Sequence, residues 1–300
     1  MKNTRRVIAL GFFDGVHKGH GALLRRVTER AAQLDAVPAA FTFDAHPESV
    51  ILGRATPLLS TPEDRRYLMT TLYGIRDVLV AHYDRAMMQT PWEEFITRYL
   101  VAQYGAVHVV VGHDFRFGYR GEGTPDRLAQ KCRQLGLGCD IIQPVVQDGI
   151  TISSTYIRTL VAQGEMERAC SFLGHPHTLT RTVIHGKGLG SKLGFPTVNL
   201  TVPDGVIVPA HGVYATRIFA DGRGYAAVTN VGCRPTVDDG DALTVEGFLL
   251  DFTGDLYDRQ LVVEFYRHLR PERKFESLQA LHDEVMHNAR QTRAYFAQLN

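Results

Sequence analysis

The chain has 300 residues, 44% hydrophobic and 22% charged, and 33 Lys plus Arg against 32 Asp plus Glu leave a formal net charge of +1. That length and apolar content suit about two soluble globular domains. The near-zero charge argues against bulk nucleic acid or an anionic membrane as partner, and no apolar run approaches the roughly 18 residues of a membrane span.

The first ten residues, MKNTRRVIAL, run into FFDGVHKGH with no small-residue cleavage site and do not read as a signal peptide. Cys132, Cys139, Cys170 and Cys233 form no CxxC pair, as expected of reduced thiols in a cytoplasmic protein. The first half then alternates strand and helix. Val7 to Leu10 is a strand, and a helix follows with Leu23, Leu24, Val27, Ala31 and Leu34 on one face. Strands follow at Ala39 to Phe43, Asp77 to Ala81, Val107 to Val111 and Cys139 to Ile142. Helices start at Thr61-Pro62-Glu63-Asp64 and Thr90-Pro91-Trp92, cover Thr124 to Leu135, and include Ile157 to Val161. Regular alternation of this kind predicts a doubly wound parallel sheet.

After Gly174 the period changes. Strand-like runs cover Leu179 to His185, Val213 to Phe219, Tyr225 to Thr229, Leu243 to Leu250 and Leu261 to Leu269. Gly, Asp and Pro turns separate them, which predicts an antiparallel barrel or sandwich. A long helix from about Ser277 closes the chain. The expected domains are residues 1–173 and 174–300.

Four motifs can carry chemistry. Gly11-Phe12-Phe-Asp14-Gly15-Val-His17-Lys-Gly-His20 lies between strand and helix, where α/β sheets bind ligands and a helix N-terminus receives phosphate. His17 and His20 can donate to phosphate oxygens there; alternatively, the glycines make only a tight turn and the histidines lie on the surface. Ser153, Ser154, Thr155 and Arg158 precede or open a helix and suit either a plain helix cap or a triphosphate. Gly112-His-Asp114-Phe115-Arg-Phe117-Gly118 follows the fourth strand, with two rings that can stack on a flat ligand or pack into the core. The run from Gly186 to Asn199 is either a flexible loop or a phosphate cradle, with Thr197 and Asn199 as neutral oxygen donors. Glu246, among apolar neighbours, is either solvated or a functional base.

Nine segments in order carry a resemblance: GFFDGVHKGH, TFDAHP, GHDFRFG, ISSTYIR, GFPTVN, GVY, NVGCRPT, LLDFTGDLYD and LRPERKF. Over nearly all its length the chain resembles the bacterial bifunctional riboflavin kinase/FAD synthetase family. The resemblance implies an α/β, Rossmann-like nucleotidyltransferase domain that adenylylates FMN to FAD with release of pyrophosphate. It also implies a β-barrel riboflavin kinase domain with a terminal helix. It makes His17, His20, Arg158 and Glu246 catalytic, Glu246 being the base for the ribityl hydroxyl. ATP and phosphate contacts would come from Gly11, Phe12, Asp14, Gly15, Asp114, Ser153, Ser154, Thr155, Gly186, Lys187, Gly190 and Lys192. Flavin contacts would come from Phe115, Phe117 and Arg270, and Mg²⁺ ligands from Thr197 and Asn199. Ser191, Val198, Phe248 and Asn288 depart from residues common in the family, and none of these changes removes the metal ligands or the base. Two other readings stand beside the two-activity enzyme: an FAD synthetase with a degenerate kinase half, and a flavin- or RNA-binding regulator without turnover.

Overall fold

A computed structural model describes residues 4–53, 56–185, 195–202, 205–235 and 241–299. The contacts group them into two compact units, Met1–Pro57 with Pro62–Ser154, and Leu58–Thr61 with Thr155–Asn300.

The first unit begins with β1 (Arg6–Leu10), α1 (Lys18–Leu34), β2 (Val37–Phe43), α2 (Pro47–Leu52) and α3 (Pro62–Tyr73). It continues with β3 (Asp77–Ala81), α4 (Arg85–Gln89) and α5 (Trp92–Glu94), which runs on as a π-type helix over Phe95–Gln103. β4 (Ala106–Gly112), α6 (Pro125–Gln134), β5 (Gly138–Ile142) and a small hairpin, β6 (Val146–Gln147) with β7 (Ile150–Thr151), complete it. The sheet order is β3-β2-β1-β4-β5, and every pairing is parallel. β1 shows why both faces need helices. Val7 and Ala9 join the cluster under α1 and α3, while Ile8 and Leu10 join the one under the π-type segment and α6. Strand side chains alternate faces, so an all-apolar strand is one covered on both sides. The chain runs outward from β1 to β2 and β3, then returns to β4 on β1's other flank. The carboxyl ends of β1 and β4 therefore frame the switch point of the sheet.

The second unit takes α7 (Ser154–Gln163) from Thr155 onward and then α8 (Met166–Leu173). α8 stops because Gly174 takes a left-handed conformation, φ 84°, and its N–H caps the carbonyl of Cys170. Then come β8 (His177–Ile184), β9 (Val198–Leu200), β10 (Gly212–Ala220), β11 (Arg223–Pro235), β12 (Asp241–Leu249), β13 (Gln260–Arg270) and α9 (Leu278–Leu299). These strands close an antiparallel barrel in the order β10-β11-β12-β9-β8-β13, so of the two expected architectures the barrel is the one formed. Closure removes the exposed edges that a sandwich would leave. Val245, Gly247 and Leu249 of β12 turn into the barrel. A Cβ on Gly247 would stand 2.7 Å from Ile218, so the interior at that point has room only for glycine. Val213 and Val228 face outward and pack with Leu250 beneath Ala289 of α9. The four cysteines are free thiols.

Candidate active sites

In the first unit the segment after β1 is unusual backbone. Phe13 (φ 60°), Gly15 (φ 73°) and Val16 (φ 43°) all take positive φ. Glycine accepts this freely, but a β-branched residue does so at a cost of ~1–3 kcal/mol, and such strain gathers at functional loops. The turn is held from a distant part of the chain. Ser154 Oγ donates to the carbonyl of Asp14 at 2.9 Å across 140 residues, which joins the two motifs carrying hydroxyls and histidines. His17 caps α1, its Nδ1 accepting from the N–H of His20 at 3.3 Å. An accepting Nδ1 leaves the His17 ring proton on Nε2. The two imidazoles stack at 3.7 Å with their planes 13° apart. Burial, then the neighbouring His17 and Arg65, push the His20 pKa well below its ordinary value, so its ring is neutral at neutral pH.

Gly11, Phe12, His17, His20, Asp114, Phe115, Ser153 and Ser154 line one crevice of about 290 Å³ at the switch point. Asp14 and Gly15 form the buried turn beneath it. Thr155 and Arg158 lie on α7 and are not among the lining residues. Of the two candidate rings, Phe115 lines the crevice, whereas Phe117 is core, 7% exposed and packed on Phe95 with centroids 5.5 Å apart. The expected role of Phe117 as a flavin contact is corrected on that ground: in the loop after β4 the Phe117 ring fills the core, and the Phe115 ring stacks on it from the crevice side with centroids 5.7 Å apart.

Sequence reasoning passed over Arg65 of α3, which is fully buried. Its Nη1 donates to the carbonyl of Phe12 at 2.6 Å and to Thr42 Oγ1 at 2.9 Å, and its Nη2 donates to the carbonyl of Phe43 at 3.0 Å. Burial lowers its pKa to about 10, while Asp14, Glu63, Asp44 and Asp64 oppose that shift, so it stays charged. The available signal was its place on the apolar face of α3, three and four residues before buried Leu68 and Met69.

In the barrel, the register builds the site. Glu246 of β12 lies opposite Asn199 of β9 on one side and Asn230 of β11 on the other. Directly opposed residues on antiparallel strands share a face, with Cβ atoms about 4.5–5.5 Å apart. Glu246 and Asn230 line a cavity of about 250 Å³ between the barrel wall and α9, together with Thr197, Phe248 and Arg270. Thr197 also lines a neighbouring cavity of about 340 Å³ beside Asp255 and Tyr257. Arg270 Nε donates to Asn288 Oδ1 at 3.1 Å and pairs with Glu284 at 3.1 Å, and Asn288 is buried. Asn230, a second residue the sequence reading missed, donates to Glu272 at 3.0 Å. The hydroxyl, amide and carboxylate oxygens of Thr197, Asn199 and Glu246 suit a small hard divalent cation, which keeps waters and substrate phosphates as its other ligands. Gly186, Lys187, Gly190 and Lys192, with Ser191, lie outside the described residues.

A doubly wound sheet with a crevice at its switch point, and a closed barrel with a carboxylate on its helix-covered wall, give a transferase architecture with two candidate reaction sites. The FAD synthetase family profile matches residues 1–156, and the riboflavin kinase profile matches residues 173–296. The bifunctional riboflavin kinase/FMN adenylyltransferase of Listeria monocytogenes is 34% identical over 99% of this chain and 94% of its own length. That of Pseudomonas fluorescens is 36% identical over 92% and 88%. A solved structure from Streptococcus pneumoniae, described as a macrolide-efflux protein, covers 98% of this chain and 95% of its own, with a TM-score of 0.85 at 28% identity. No described helix of the present chain is long and apolar enough to cross a membrane. The chain belongs to the bifunctional riboflavin kinase/FMN adenylyltransferase family, and it carries both domains.

Proposed function

We propose that the crevice of the first unit transfers the adenylyl group of ATP to FMN and that the cavity under α9 houses phosphorylation of riboflavin by ATP. One observation carries the first assignment: the Ser154 to Asp14 hydrogen bond brings the hydroxyl motif and both histidines into one crevice. An FMN phosphate oxygen attacks the ATP α-phosphorus, the bond to the bridging oxygen breaks, and pyrophosphate leaves. The nucleophile is already ionised, so no base is required. His17, donating from Nε2, and neutral His20 stabilise charge on the α-phosphate. Ser153 and Ser154 hold the phosphates, with Thr155 and Arg158 as further contacts, and Phe115 offers its ring to the isoalloxazine.

In the barrel the riboflavin hydroxyl must lose a proton as it attacks the γ-phosphorus, the bond to the β,γ-bridging oxygen breaks, and ADP leaves. Glu246 is the base, Arg270 and Phe248 border the flavin, and Thr197, which lines both cavities, stands between acceptor and nucleotide. Mg²⁺ on Thr197 and Asn199 would neutralise phosphate charge when bound. Lys187 and Lys192, with Gly186 and Gly190, belong in this reading to the loop over the phosphates. We place the boundary between the working halves at 173/174 and the protein in the cytoplasm, a reading that its free thiols support. Incubation with riboflavin, ATP and Mg²⁺, followed by separation of products, tests the reading. FMN and FAD together support it. FAD only from added FMN leaves a degenerate kinase half, and no turnover leaves a regulator.

A further inference from the structure

Arg65 is buried beside the crevice, and the two reactions as described give it no task. Taking a guanidinium out of water is costly unless its donors are met. A helix needing only to pack would carry an apolar residue there, as α3 does at Leu68 and Met69. Arg65 instead spends its fork on three neutral oxygens. The carbonyl of Phe12 belongs to the strained loop after β1, while Thr42 and the carbonyl of Phe43 belong to the end of β2. Thr42 Oγ1 in turn donates to the same Phe12 carbonyl at 2.8 Å. The guanidinium also lies 4.2 Å from the centre of the Phe12 ring. Its Nε has no hydrogen-bond partner among the described residues. Its neighbour across the loop is His20, which lines the crevice and feels the Arg65 charge.

We propose that Arg65 is a positioning residue for adenylyl transfer: its fork fixes the carbonyl of Phe12, and its buried charge adds positive potential at the phosphates held in the crevice. The inference rests on the reading of that crevice as the adenylyl-transfer site. A fork is the right tool because it ties two strand ends at once, and a point-like ammonium cannot do so. The potential acts where negative charge develops, so its loss falls on kcat more than on KM.

The test uses the full chain with R65M, R65K and T42V. It measures kcat and the ATP KM for FAD synthesis from FMN, with FMN formation from riboflavin by the same samples as control. R65M should lose on the order of 10²-fold in kcat, the size of one lost transition-state donor. Its ATP KM should change by less than about threefold. R65K should recover about tenfold of that loss, since charge returns without the fork. T42V, nearly isosteric, should lose about tenfold by releasing the Phe12 carbonyl on one side. FMN formation should be unchanged in all three. R65M or T42V at wild-type kcat overturns the proposal, and so does R65K no better than R65M. Should R65M be insoluble, R65K and T42V decide alone: either at wild-type kcat overturns it, and losses in both support it. A wild-type protein that makes no FAD from FMN and ATP overturns the reading of the crevice instead.

Discussion

The two sites are held in place by opposite means. The crevice in the first unit is built from loops, and tertiary hydrogen bonds keep it in shape: Ser154 to Asp14, and Arg65 to Phe12 and Phe43. The barrel site is built from strands, and ladder register alone puts Asn199, Glu246 and Asn230 in one row. A loop site can bend backbone toward a ligand at the cost of strain, seen at Phe13 and Val16. A strand site is unstrained but committed, because a one-residue slip turns every side chain to the other face.

The contrast can be broken most sharply at Glu246. Glu246→Gln keeps size and hydrogen bonding but cannot take the proton, so FMN formation should fall ~10²–10⁴-fold. FAD formation from supplied FMN should stay at wild type, which a two-substrate assay on one sample reads directly. An undiminished kinase rate would move attention to Asp251 or Asp255. His17→Ala should cost FAD synthesis on the order of 10²-fold and leave FMN formation intact. Equal losses in both reactions would deny that the sites are separate.

Fragments sharpen the comparison further. Met166, Ala169, Phe172 and Leu173 of α8 are buried, and Cys170 Sγ meets the carbonyl of Phe265 at 3.3 Å. A barrel starting at 174 should make FMN yet melt roughly 10 °C or more below one starting at 155, since each large apolar side chain is worth about 1.5–3 kcal/mol. Calorimetry of the two fragments checks this, and equal melting temperatures would place α8 outside the barrel's cooperative unit. Asn199→Ala should raise the Mg²⁺ needed for half-maximal FMN formation about tenfold with little change at saturation, as expected when one neutral ligand is lost.

The smallest effect is on pH. His20 has a folded pKa below its ordinary value of 6.5, so the unfolded chain takes up the proton first. Stability from this group is therefore complete above about 6.5 and is lost as pH falls from there toward the folded value. Melting temperatures between pH 7.5 and 5.5 should fall less in His20→Gln than in wild type; parallel curves would show that His20 is not buried neutral.

Much of this was legible because periodicity reports burial. β1 to β5 and the apolar stripe of α1 follow from runs of apolar residues, and Glu246 stood out as a charge among apolar neighbours. β9 was missed because three residues give no period, and so was the small β6–β7 hairpin. Arg65 was missed because GluAspArgArg at a helix start reads as solvated charge; only the fold reveals that two of the four, Asp64 and Arg65, are buried. Phe115 and Phe117 share a motif and a residue type and stack on each other in a loop, where no periodicity tells which ring reaches the crevice.

The hydrogen bond from Ser154 to Asp14 also has a consequence for how the molecule is made. The two residues are 140 apart in the chain. At roughly 5–20 residues per second, the ribosome delivers the second on the order of ten seconds after the first. Until then the turn at Gly15 and Val16 lacks the hydrogen bond from Ser154, although Thr42 and Arg65 already hold the neighbouring Phe12 carbonyl. The crevice is therefore the last part of its unit to be completed at birth, so a truncated translation product ending before residue 153 would carry the sheet without the two serines that complete the crevice lining.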